Sequence, residues 1–328
     1  MSATGPLLSL ATAALWAISP MFMASAGRRV GSFPVLLLRS ILATAFLVAV
    51  VGGAWLLSLP QAFPDLRQTF WIAVSGVVGV GVGDVLIYEA FVVLGPRRTT
   101  QTLVLAPAVT VLVAWVALGE SLTPEKLYGI AVILAGTSYA VFAGNRRRVA
   151  PAEQVVAAGE SGDVESAAPV APPPARVEPG RATPSAFLLA IGGAVCMAVG
   201  AVMARHAFNT GRSPDALPAT LVRVGSATVL LWIMPVLRGQ ARPTLSLLRD
   251  RWVARRIAAG VAMGPLLGML CYLGALKQSP AGLVSTLVAT SPLFAIPLTV
   301  LRYRVRIGWD VVLAACIATA GVGMLFFA

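Results

Sequence analysis

Histidine, cysteine and acidic residues are all scarce in this sequence, and each shortage removes a class of function. His206 is the only histidine, so a zinc site built on histidines is out of reach. Cys196, Cys271 and Cys316 each sit inside an apolar run. Without clustered spacing they make neither a disulfide framework nor a metal site, and they read as small core residues. Only 12% of the chain is charged, against about 25% in soluble domains. No Lys or Arg precedes Arg28, so the first apolar run lacks the basic start of a cleaved signal and reads as a retained helix. Neither a G-x-x-x-x-G-K phosphate loop nor a G-x-S-x-G elbow occurs, and no nucleophile–base pair is visible. The expectation is a protein that is not an enzyme and holds no cofactor.

What the chain has in abundance is hydrophobic sequence. Hydrophobic residues make up 58% of it and the mean hydropathy is +0.84. Apolar runs of about 20 residues recur, each long enough to cross a bilayer. Ten can be placed, at 6–26, 34–57, 69–94, 98–118 and 124–143, then 185–209, 218–237, 252–277, 281–301 and 308–327. Lipid cannot satisfy exposed backbone groups, so these runs are read as helices. The fold class predicted is an all-α membrane protein of ten transmembrane helices. Its units are a five-helix repeat at 1–143, a linker at 144–184, and a second five-helix repeat at 185–328. The linker carries Arg146, Arg147 and Arg148, three consecutive prolines from Pro172, and Glu153, Glu160, Asp163, Glu165 and Glu178. With no aromatic residue it cannot bury enough apolar surface to offset its ordering entropy, and it reads as a disordered tether.

The two groups of five are related. A shift of 184 places Pro34 on Pro218, Arg39 on Arg223, Gly76 on Gly260, Tyr88 on Tyr272 and Pro96 on Pro280. A shift of 185 then places Pro107 on Pro292 and Gly136 on Gly321. An odd number of helices per repeat turns the second copy upside down, which is the inverted-repeat plan of secondary transporters, with the site near the midplane.

The formal charge of +12 does not mark a nucleic-acid binder. The connections after the odd-numbered runs, together with the linker, carry 18 of the 25 Lys and Arg residues, the opposite connections carry 5, and Arg39 and Arg223 are the other two. Positive charge on one side sets topology. The expectation is a multi-pass protein of the cell membrane, with the linker cytoplasmic and both termini outside. An RNA or DNA surface would need a soluble basic face.

Asp84 and Glu89 are the only carboxylates well inside an apolar run. An acid at the centre of a spanning helix costs about 2.5 to 3.5 kcal/mol on insertion scales and defaults to function. Asp84 sits near the middle of its run with Tyr88 one turn on, and it is either a substrate or proton site or a carboxylate hydrogen-bonded for packing. Glu89 either acts directly or pairs with Arg97 and Arg98 beyond a tight turn at Gly95-Pro96. The stripe Gly260, Gly264, Gly268, Tyr272 reads as close packing. Its counterpart is Gly76, Val80, Asp84, Tyr88, so Asp84 stands where the second copy has Gly268. Arg39 and Arg223 either snorkel to the interface or gate one mouth each. Trp16 before Ser19-Pro20, together with Pro107, Pro292 and Pro297, marks helices with broken ladders. Gln101 brings a polar group to the fourth run, and Glu120 reads as interfacial. The substrate-binding set expected is Asp84, Tyr88, Glu89, Gln101, Trp16 and Tyr272. Gating or structural roles go to Arg39, Arg223, Pro107, Pro292 and Gly268.

The segments GDVLIYEAFVVLG and LGESLTPEKLYG, with Pro107, Gly119, Glu120, Gly129 and Gly136, resemble the EamA family of the drug/metabolite transporter superfamily. Arg39, Pro292 and Gly321 fit the same pattern, while Val305 stands where Glu120 would repeat. The resemblance implies a ten-helix exporter working by alternating access, often driven by protons, on amino acids, other metabolites or drugs. It also implies cationic cavity residues for phosphate-bearing substrates, and the interiors of runs nine and ten hold no Lys or Arg. The function expected is export of a small metabolite or drug-like compound, amphipathic or cationic-to-zwitterionic, with substrate, bilayer and protons as partners and a monomer or homodimer as the unit. A non-transporting membrane scaffold or sensor, and a lipid-carrier flippase, stay open as alternatives.

Overall fold

The computed structural model describes residues 3–120, 123–146, 184–303 and 309–327, and its regular elements are all helical. The first half holds α1 (Thr4–Val30), α2 (Ser32–Leu56), α3 (Leu66–Gly76), α4 (Gly83–Leu103), α5 (Ala106–Leu118) and α6 (Pro124–Arg146). The second holds α7 (Pro184–Asn209), α8 (Ala216–Leu237), the short α9 (Ala241–Ser246), α10 (Arg251–Val261), α11 (Met269–Gln278), α12 (Ala281–Val288), α13 (Ser291–Tyr303) and α14 (Trp309–Phe327). Among the described residues six helices are long and apolar enough to cross a membrane: Thr4–Val30, Ser32–Leu56, Leu66–Phe91, Phe187–Asn209, Ala216–Leu237 and Arg251–Gln278. Three shorter apolar helices, Ala106–Leu118, Ala281–Ala295 and Val312–Met324, join them. Most of the predicted linker, and Val305 with its arginine neighbours, lie outside the described residues.

Proline and glycine position the interruptions. A π-helical stretch, Val77–Val82, joins α3 to α4, and another, Ala262–Gly268, joins α10 to α11. A π turn takes up an extra residue and so rotates the helix face beyond it by roughly 100°. The helices also break at Val104-Leu105 and at Ala289-Thr290, which are 185 residues apart. Pro107 and Pro292 sit in the first turn just after these breaks, where a missing N–H removes no hydrogen bond. The turn expected at Gly95-Pro96 is not there: α4 runs through both residues to Leu103. Its counterpart, Ser279-Pro280, does end α11. A proline in a first turn and a proline in a true break are indistinguishable in sequence; the chain chose the break beside Pro107.

The halves pack reciprocally. α2 and α8 are equivalent under the 184 shift, and they meet where the Thr44 and Thr228 hydroxyls lie 2.8 Å apart, two residues separated by that same shift. Farther along, Trp232 Nε1 donates to Ser40 Oγ at 3.2 Å, so one helix ascends as the other descends. α6 and α14 behave alike. A methyl added to Gly136 would meet Ala318 N at 2.6 Å, and one added to Gly321 would meet Ile133 N at 2.8 Å. Each contact maps onto the other under the 185 shift, as an isologous interface requires. Equivalent helices that cross antiparallel are related by a two-fold axis perpendicular to their length.

The same exchange builds the core. Along α10 and α11, the glycine stripe packs on α1: Gly260 against Met23, Gly264 against Ser19 and Gly268 against Trp16. In the other half, Gly79 and Gly83 face α7 at Gly200 and Cys196, and Gly76 lies on the Arg223 carbonyl of α8. The predicted stripe Gly76, Val80, Asp84, Tyr88 is therefore not the face that meets α7.

Candidate functional site

A cavity of about 390 Å³ lies between the halves, lined from the first by Trp16, Arg39, Asp84 and Phe91 and from the second by Met197, Arg223, Tyr272 and Ser291, among others. Its size is within the usual ligand range of about 300 to 1,000 Å³. Asp84 stands in the first turn of α4, directly after the π turn. Its carboxylate accepts a hydrogen bond from Arg39 Nη2 and forms an ion pair with it. The Arg39 side chain is 22% exposed and that of Asp84 19%. Such a pair is stable only where geometry offsets desolvation. Arg39 also lies 5.8 Å from the Tyr88 ring centroid.

Arg223 occupies the equivalent place in the other half and repeats only part of this. Its Cζ lies 5.7 Å from the Tyr272 ring, as Arg39 lies over Tyr88. Among the described residues no carboxylate forms an ion pair with it, and the counterpart of Asp84 in this half is Gly268. Instead Nη1 donates to Ser75 Oγ at 2.9 Å and to the Gly200 carbonyl at 3.1 Å. Arg223 is 3% exposed, and its Nε has no hydrogen-bond partner among the described residues. Gly79 leaves room for the guanidinium; a methyl there would lie 3.2 Å from Nη2.

The asymmetry coincides with two exchanged positions: Trp16 corresponds to Gly200 under the 184 shift, and Asp84 to Gly268. In one half the indole packs on the glycine: a methyl on Gly268 would lie 2.5 Å from the Trp16 ring. In the other, the backbone of the π turn closes on Gly200, where a methyl would meet Gly79 Cα at 2.6 Å. Trp16 stacks on Tyr272 with centroids 5.3 Å apart and planes tilted 34°.

The sequence of the EamA-like transporter family matches residues 3–142 and again residues 184–327. The chain belongs to the EamA-like transporter family. Among solved structures, a crystal structure of a protein aligns over 100% of this chain and 98% of its own, at 16% identity and a TM-score of 0.67. That likeness shows the fold alone. No curated protein matches the chain significantly. The protein is thus a multi-pass membrane transporter built from two EamA repeats.

In this EamA-like transporter a polar cluster apart from the cavity lining ties helix ends together. Gly119, in the left-handed conformation at φ 64°, ends α5 and turns Glu120 toward the second half. Glu120 Oε1 accepts from Arg205 Nε at 3.1 Å, and its Oε2 accepts from Ala281 N at 3.0 Å. Arg205 Nη1 donates to the carbonyls of Leu276 at 2.7 Å and Lys277 at 2.9 Å. One ion pair thereby satisfies the end of α11 and the start of α12, groups that a helix break leaves orphaned. Nearby, Lys277 Nζ lies 3.5 Å from Asp215 Oδ1, and Ala62 N donates to Asp215 Oδ2 at 2.8 Å. Buried Gln68 donates to the carbonyls of Thr210 and Arg212. The bonds of Glu120, of Ala62 with Asp215 and of Gln68 join the halves on this face, while those of Arg205 to α11 and of Lys277 to Asp215 lie within the second half. On the other face, Arg29 pairs with Asp250 at 2.9 Å where both are well exposed.

Of the residues singled out in the sequence, the cavity takes in Trp16, Arg39, Asp84, Arg223 and Tyr272. Arg39 and Arg223 neither snorkel outward nor sit at separate mouths; both turn inward. Tyr88 stands behind Arg39, packed with Leu36, Leu37 and Trp232. Glu89 is exposed, outside the cavity. Gln101 lies in α4, with its side chain outside the described set. Pro107, Pro292 and Gly268 shape helices and do not line the space. Sequence reading missed the Arg39–Asp84 pair and the Glu120–Arg205 clamp. The signal for the first was present: Trp16 and Gly200 differ under the same shift that exposed Asp84 and Gly268.

Proposed function

We propose that this protein is a secondary transporter that exports a small amphipathic metabolite or drug-like compound by alternating access, coupled to protons. The supporting observation is a cavity at the junction of two reciprocal halves, apolar over most of its lining and carrying one partly buried ion pair. On this reading the chain crosses the cell membrane ten times. The end of α4 with α5 makes one crossing, α12 with α13 another, and the second repeat is inverted. The arginine-rich connections and the linker lie in the cytoplasm, so the face tied by Glu120 and Arg205 is the outer one.

The breaks beside Pro107 and Pro292 are the pivots about which the halves rock. Asp84 is the proton site. The charged groups facing it are Arg39 and Arg223, with the Tyr88 and Tyr272 rings behind them. A proton on Asp84 frees Arg39, and return of the negative charge restores the pair, so proton and substrate alternate at one place. The test is a metabolite screen in reconstituted vesicles with and without a pH gradient. Asp84→Asn should abolish gradient-driven transport while protein level and fold are unchanged. An undiminished response to the gradient in that variant would sink Asp84 as the coupling site.

A further inference from the structure

The charge inventory of the cavity is short. Arg39, Asp84 and Arg223 are the charged residues in its lining. Arg39 and Asp84 neutralise each other, and Asp84 is within electrostatic reach of Arg223 but bonds to Arg39. One positive charge is left over, on a side chain 3% exposed with a buried, unpartnered Nε. An uncompensated buried cation is expensive, and a protein keeps one where something arrives to balance it. A second observation carries the same sign. α13, 13 residues long, begins at Ser291 on the cavity wall, so the positive end of its dipole faces the space.

The neutral polar groups offer little competition. Ser19 Oγ donates to the Gly260 carbonyl at 2.8 Å, Ser40 Oγ to Leu37 at 2.8 Å and Thr228 Oγ1 to Val224 at 2.9 Å. With those donors committed to backbone, charge is the strongest recognition element left, beside the polar ends of Trp16, Tyr272 and Ser291. The remaining wall, including Trp16, Phe91, Leu231 and Met269, is apolar.

We infer that Arg223 is an anion subsite, and that the ligand of this cavity is an amphipathic organic anion: a carboxylate or similar oxyanion on an apolar body. This rests on the cavity being the transport site, and it reverses the cationic-to-zwitterionic substrate that Asp84 alone suggested. The guanidinium presents donors in a planar fork suited to a carboxylate, while Trp16 and Tyr272 cover the apolar part.

The test is isothermal titration of the full-length protein in neutral-lipid nanodiscs with three probes of one shape: 4-phenylbutyrate, 4-phenylbutan-1-ol and 4-phenylbutylamine. The butyrate should bind the wild type at least about tenfold more tightly than the alcohol or the amine, the ratio that one well-placed charge contact supplies. Arg223→Gln should erase the preference and Arg223→Lys should keep part of it. Asp84→Asn, which raises the cavity charge from +1 to +2, should retain or sharpen it, a result that misfolding cannot produce. Equal or tighter binding of the amine by the wild type overturns the inference. So does the absence of butyrate binding, or a preference that survives in Arg223→Gln. The wild-type comparison stands even if Arg223→Gln fails to fold. Butyrate that binds with this selectivity but is not moved across proteoliposome membranes overturns the transport reading and leaves the subsite intact.

Discussion

Asp84 is tolerable inside an apolar bundle because Arg39 lies beside it and answers its charge. That mutual dependence gives the first prediction at the residue scale. Arg39→Gln strands a carboxylate in a mostly buried site and should destabilise the protein by on the order of 3 kcal/mol, whereas Arg39→Gln with Asp84→Asn should recover most of the loss. Thermal unfolding in detergent reads both. Glu120 gives the second. Its two oxygens serve Arg205 and the Ala281 amide, so Glu120→Ala leaves both donors without their acceptor, at about 1 to 3 kcal/mol. Arg205→Ala should cost a similar amount, and the double variant should be little worse than either alone, because residues of one network do not add. Sequence alone placed Glu120 at an interface, since nothing nearby in the chain names its partner. Arg205 is 85 residues away.

At the scale of elements, close approach depends on which glycine is used. α7 crosses the π turn at Gly200, where a methyl would meet Gly79 Cα at 2.6 Å and Ser75 O at 2.9 Å. Neither backbone atom can give way as a side chain could, so Gly200→Ala should destabilise by about 1 to 3 kcal/mol. Gly52 in α2 has nothing within 4 Å of such a methyl, and Gly52→Ala should stabilise by about 0.5 to 1 kcal/mol through helix propensity alone. A shared-direction change in melting temperature for the two would refute this account of the crossing. The existence and type of the helices were legible from apolar periodicity and composition. The π turns were not, because Gly79, Gly81, Gly264 and Pro265 suit a tight α-helical crossing equally well. The break was placed at Gly95-Pro96 although α4 continues through it, since local residue type cannot say which proline the packed chain leaves in a helix.

At the scale of the molecule, the two halves meet through equivalent surfaces, at Thr44 with Thr228 and at Gly136 with Gly321, and the cavity lies between them. Neither half encloses it alone. Deleting residues 150–178 should therefore leave transport largely intact in reconstituted vesicles; loss of function with normal expression would favour the scaffold reading over the transporter. The sequence by itself determined that this chain is a helical membrane protein made of two copies of one unit. Hydrophobic length and recurring Gly, Pro and Arg positions are local properties that survive in a linear string. It also marked Asp84 as an exception. Only the tertiary structure decided what that exception means. Packing joins Asp84 to Arg39 and leaves Arg223, the match of Arg39 in the other half, with no carboxylate bonded to it among the described residues, because Gly268 stands where Asp84 would repeat. The sign of a site is a sum over side chains that meet in space, and no run of the sequence contains all three charges.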